Sequence, residues 1–239
     1  MKARQRHQLK QNDFATAAMR VLAAATANRD RLIVLIVAVV VLLGAAGGFA
    51  YWRKSVADAA GAEFGAALAI EQSQIVPAST LPGATQAPGT YPTETARSEA
   101  ALEAFRSVAA EFPGTDAGRA ARYHQANTLV GLGRLDEAET AYREVSDDAG
   151  DLYGASARMG LAEVYALQGR YGEAVTTLTE LSANRDGTLP VDGVLWQLAE
   201  VHLKAGQRDE ARAAFQRVVD EFPESPYAAP ARQRVAELG

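Results

Sequence analysis

Three side chains in the 239 residues, His7, His124 and His202, carry the imidazole that most metal centres and acid–base sites near neutrality rely on. They stand far apart, and none has a histidine or carboxylate four residues away in the arrangement of a metal site. No nucleophile accompanies them, so His124 and His202 read as packing or groove-edge residues of helices. The chain has no cysteine, which excludes disulfides, thiolate catalysis, zinc–thiolate sites and a lipid-modified N-terminal cysteine. No glycine-rich phosphate loop follows a strand, because no strand pattern is present for it to follow. The sequence therefore predicts no enzyme, no metal, no cofactor and no small-molecule substrate.

The chemistry it does offer is recognition. Tyr123 and Asn127, Met159 and Glu163, and Trp196 and Glu200 are three pairs at i,i+4 spacing, each on one helix face. One column is bulky and the other polar, a combination suited to adaptable contact with a peptide, with Trp196 the largest anchor. The same spacing also serves ordinary packing against neighbouring helices. Glu163 and Glu200 stand where a clamp for C-terminal carboxylates would need lysines.

Those pairs fall in register with a repeat. Gly133, Gly169 and Gly206 each follow an apolar helical pattern and precede a second one, which opens with Asp136-Glu137-Ala138, Gly172-Glu173-Ala174 or Asp209-Glu210-Ala211. A glycine just past a helix end supplies the left-handed cap, and acidic residues favour the start of the next helix. Alanine stands seven residues before each glycine (Ala126, Ala162, Ala199) and five after it (Ala138, Ala174, Ala211), where two helices of one pair approach most closely. Tyr142, Leu178 and Phe215, with Val145, Leu181 and Val218, supply a buried face at i,i+3 spacing. Upstream, AFRSVAAEFP at Ala104 to Pro113 matches AFQRVVDEFP at Ala214 to Pro223, placing a fourth second-helix at Glu94 to Glu111. Its first helix is expected over Ser55 to Ser73, beyond an insertion holding four of the nine prolines. A solvated helix closes the array after Pro223.

These glycine, alanine, aromatic and proline positions resemble the tetratricopeptide repeat family, most fully around Gly206. The resemblance implies an all-α fold, a solenoid of helix pairs that binds other proteins. Arg122, Arg158 and Leu195 depart from it, standing where the family often has tryptophan, and Arg208 replaces an aromatic.

The third feature is a charge-free run, Leu32 to Trp52, long enough at helical rise to cross about 31 Å of hydrocarbon. Tyr51 and Trp52 stand at one boundary, with Arg29 and Arg31 at the other and Arg53 and Lys54 beyond. Residues 1–31 hold seven basic and two acidic side chains, which leaves a net charge of -10 on the remainder out of the total of -5. An acidic main domain excludes nucleic acid as its partner, while the basic head suits an anionic inner leaflet. The residue pattern thus predicts a basic cytoplasmic segment (1–31), a transmembrane helix (32–52), a linking helix (53–73), a proline-rich flexible insertion (74–93) and the repeat domain (94–239). A helix lying on the membrane, with Phe14, Val21 and Leu22 on one face, is an alternative to a simple tail for the head. The whole layout is similar to the YfgM-type family of ancillary SecYEG translocon subunits. That resemblance implies a single-pass bacterial inner-membrane protein with periplasmic repeats, assisting translocation or folding, with the translocon and periplasmic folding factors such as PpiD as partners. The repeat ends at Pro113 and Pro223 also resemble the BamD and CpoB groups of envelope proteins, so a cell-envelope assembly or cell-division organiser of the same topology is the alternative.

Overall fold

No proline interrupts the chain between Arg29 and Glu71, and this whole stretch is one helix, α1 (Arg29–Glu71). The apolar and linking segments are therefore continuous, with no break at Trp52. The computed structural model describes residue 19 and residues 29–78, 85–146, 152–184 and 187–239. Most of the basic head, with His7 and the face built on Phe14, lies outside them.

The chain divides into two compact units, Met1–Ser55 and Val56–Gly239. In the first, the apolar side chains from Ile33 to Leu43 are exposed, Leu42 at 68%. From Ile33 to Glu71 the helix is long and apolar enough to cross a membrane, with a peak mean hydropathy of 2.8.

The second unit is built from the last turns of α1 and eight further helices among the described residues: α2 (Glu94–Glu111), α3 (Asp116–Gly131), α4 (Leu135–Ser146), α5 (Leu152–Leu167), α6 (Tyr171–Ala183), α7 (Val191–Lys204), α8 (Arg208–Glu221) and α9 (Ala228–Leu238). From α2 onward each helix packs against the next in sequence. In addition α3 touches α5, and α5 touches α7, so the first helices of successive pairs lie side by side.

The sequence explains this stacking locally. Gly133, Gly169 and Gly206 adopt φ of 73°, 76° and 76°, a left-handed conformation that glycine enters without steric penalty. Around Gly133, its N–H donates to the carbonyl of Val130 and the N–H of Arg134 to that of Leu129, at 2.9 Å each. The same pair of bonds closes the other two turns, so each orphaned helix end is satisfied in the same way. All six registered alanines are 0% exposed. Phe105, Phe215, Leu129, Leu178 and Leu195 fill the space between helices, fully buried.

At the other end of the array, Ala67 is buried and Phe64, Leu68 and Ile70 pack around Phe105, with the Phe64 and Phe105 rings 6.0 Å apart. The last turns of α1 thus serve as the first helix of the pair that α2 completes. The insertion departs from expectation, because it contains strand pairing. β1 (Gln74–Ile75) and β2 (Thr90–Tyr91) pair in parallel, and the Val76 N–H donates to Tyr91 at 2.8 Å. Prolines stop longer pairing, but the free amides between them still seek acceptors, and Gln86 adds a bond to the Val76 carbonyl at 3.0 Å.

Candidate protein-binding groove

Because α3, α5 and α7 lie side by side, equivalent positions on them face the same space. Tyr123 and Asn127 from α3, Met159 and Glu163 from α5, and Trp196 and Glu200 from α7 all line one groove of about 490 Å³. Tyr123, Met159 and Trp196 are half-buried, each with one side against the central core, so packing and lining are both roles of the same residues. Trp196 meets Phe215 edge-on at 5.0 Å and stacks against Tyr227 at 5.5 Å. Tyr123 lies 6.0 Å from the Tyr142 ring and 5.7 Å from that of Tyr153.

Other lining residues lie outside the i,i+4 columns, and four of them shape the groove. Tyr142, on α4, is buried, yet its hydroxyl reaches through to the groove and donates to Asn127 Oδ1 at 2.5 Å. Burial pushes this phenol well above its ordinary range, and Tyr123 and Glu163 add to the effect, so Tyr142 is a neutral donor. Gly160 makes room for it: a Cβ there would stand 2.4 Å from Tyr142 Cζ. Tyr227 and Gly193 close the far end, where a Cβ on Gly193 would touch the Tyr227 ring at 3.7 Å. The signal for Gly160 was its place beside Met159 inside a helix, where glycine is otherwise unfavourable. Tyr142 gave none, because helical spacing assigns its Cβ to the core and says nothing about where the hydroxyl ends.

The groove's charges are unevenly partnered. Glu200 Oε1 lies 3.6 Å from Arg234 on α9, whereas no ion pair engages Glu163 among the described residues. Among the described residues Lys204 is the one cation in the lining, and Gln197 Oε1 is buried there without a hydrogen-bond donor. The edge of the array formed by the glycine turns is the opposite case. Arg134 holds Glu137 with two bonds of 2.7 Å, and Arg106 adds a third at 2.8 Å. Arg170 binds Glu173 and, at 2.8 Å, the buried Glu139, while its guanidinium lies 4.4 Å over the Tyr165 ring.

His124 and His202 fall elsewhere. His124 stacks on Phe105 at 5.1 Å and approaches Glu71 at 3.4 Å, in the contact of α1 with α2 and α3. His202 Nδ1 bonds Gln207 Oε1 at 2.6 Å beside the third turn. The groove's functional groups are thus aromatic faces, a thioether, amides and carboxylates, which can bind an extended chain by stacking and hydrogen bonds.

The pattern of the tetratricopeptide repeat-like domain matches residues 26–229. No curated protein matches the chain. Among solved structures, TPR-like repeats of a putative kinesin light chain from Podosopora anserina are similar at 20% identity and a TM-score of 0.52, over 59% of this chain and 77% of that one. A variant of it gives 21% and 0.51 over the same shares. MamA gives 16% identity and 0.48, again over 59% and 77%. At these identities the likeness is one of fold.

Proposed function

This chain belongs to the tetratricopeptide repeat-like family, and on that premise we propose that it is a membrane-anchored interaction scaffold. Its repeats face the periplasm and assist the translocation or folding of secreted chains at the secretory translocon. The observation that carries the reading is the groove, in which aromatic and thioether side chains from three successive first-helices stand half-exposed beside polar partners. Half-exposed rings of this kind are the usual anchors of protein recognition. Anchoring rests on the exposed apolar side chains of α1, a surface that water solvates poorly and lipid solvates well. The excess of basic residues over positions 1–31 supports a cytoplasmic N-terminus, partly offset by Arg53 and Lys54.

Crosslinking in intact membranes followed by pull-down tests the partner. Recovery of SecYEG or a periplasmic isomerase is expected, while recovery of envelope-assembly machinery without the translocon would sink the reading in favour of the organiser. A periplasm-dependent reporter fused after Gly239 is expected to be active. A signal from the cytoplasm alone would overturn the orientation.

A further inference from the structure

The groove's unused charge points to what it binds. Accepting the groove as the peptide site, we propose that it selects an extended segment carrying a lysine or arginine, seated with its cationic end at Glu163. Glu163 is exposed in the lining and engaged by no cation among the described residues, unlike Glu200 with Arg234 or Glu137, Glu139 and Glu173 at the turn edge. The half-buried Tyr123 lines the same groove, and the Glu163 charge is felt by the Tyr142 phenol whose hydroxyl reaches it. A cation in the groove has the Glu163 carboxylate and the half-buried Tyr123 ring to attract it. Among the described lining residues Lys204 is the one cation against the two carboxylates Glu163 and Glu200, and the buried Gln197 Oε1 has no donor. An acidic segment would instead meet two carboxylates. The net charge of -10 beyond residue 31 adds long-range attraction for the same sign of ligand.

The test uses the full chain in nanodiscs of neutral phosphatidylcholine, so that basic peptides gain nothing from the lipid. Three short fluorescein-labelled peptides of alternating leucine and serine, differing only in a central lysine, glutamine or glutamate, are titrated by fluorescence anisotropy. The lysine peptide is expected to bind about 3- to 10-fold tighter than the glutamine peptide, with glutamate weakest, and the preference to shrink with added salt. Glu163→Gln should bring the lysine peptide to the level of the glutamine peptide. Equal binding of lysine and glutamine peptides to the native chain, or a lysine preference that survives Glu163→Gln, overturns the inference while leaving the groove reading intact. Met159→Ala and Trp196→Ala should weaken all three peptides, with melting curves checked to exclude unfolding. If no peptide binds, or if neither groove variant weakens any of them, the groove reading itself fails and the inference with it.

Discussion

The turn edge and the groove are two polar regions on the same stack of helices, and the edge carboxylates Glu137, Glu139 and Glu173 differ from Glu163 of the groove in how they are partnered. At the edge, Glu137, Glu139 and Glu173 are each gripped by arginine, and Glu139 is only 8% exposed. In the groove, Glu163 is exposed and has no ion partner among the described residues. A charge held by fixed partners contributes to the register of the stack, and a ligand would have to break those bonds to use it. An unpaired charge retains its capacity for a visitor, which is the basis for proposing the groove rather than the edge as the binding surface.

Both regions depend on the same close helix contacts, so the largest effect comes from breaking those. Ala162, 0% exposed, sits where α5 meets its neighbours, and Ala162→Leu is expected to destabilise by about 1 to 3 kcal/mol through overpacking. Ala87→Leu, at an exposed site in the insertion, should be nearly neutral. Equal melting temperatures for the two variants would mean that the alanine contacts do not set the spacing of either region.

A comparable effect, but confined to one region, is expected at Glu139. Glu139→Ala strips Arg143, Arg170 and Gln168 of a shared buried acceptor and should cost about 1.5 to 3 kcal/mol, the range for hydrogen bonds to a charged group. Peptide binding should survive. Glu163→Gln should shift stability by no more than about 0.5 kcal/mol, as at other solvent-facing positions. If Glu163→Gln melts as early as Glu139→Ala, the contrast between a structural edge and a functional groove collapses.

The contrast also marks what the sequence could convey. Positions that repeat for steric reasons were legible, because only glycine enters the left-handed turns easily and only alanine fits between the paired helices. The six groove residues were legible as faces, since i,i+4 spacing fixes which side chains share a side. What spacing cannot carry is the reach of a side chain across the stack. Tyr142 puts its ring in the core and its hydroxyl on Asn127, and Tyr227 arrives from the segment before α9 to cover Trp196. Nor did the boundary residues Tyr51 and Trp52 break α1, because neither removes a backbone donor. The β1–β2 pairing leaves no sequence signal, because two-residue strands carry no periodicity.

The smallest expected effect lies in the edge itself, and the three turns provide an internal control for it. Arg134 and Arg170 follow the first two glycines, whereas Gln207 follows the third, so Arg134→Gln converts the first turn to the chemistry of the last. The bonds from Arg134, with a further contribution from Arg106, hold the Glu137 carboxyl below its ordinary value of 4.5. A carboxyl whose pKa is lowered by folding stabilises the fold when it is ionised in both states, above its unfolded pKa. That contribution is lost as pH falls through the lowered folded value. Melting temperatures of the native chain and of Arg134→Gln should therefore differ by a constant small gap at neutral pH. The gap should close progressively as pH falls below 4.5. Added salt should narrow it at pH 7, because these side chains are solvent-exposed and screened. A gap that is insensitive to both acid and salt would show that Arg134 acts through its aliphatic packing, and that the edge is held together by contact rather than by charge.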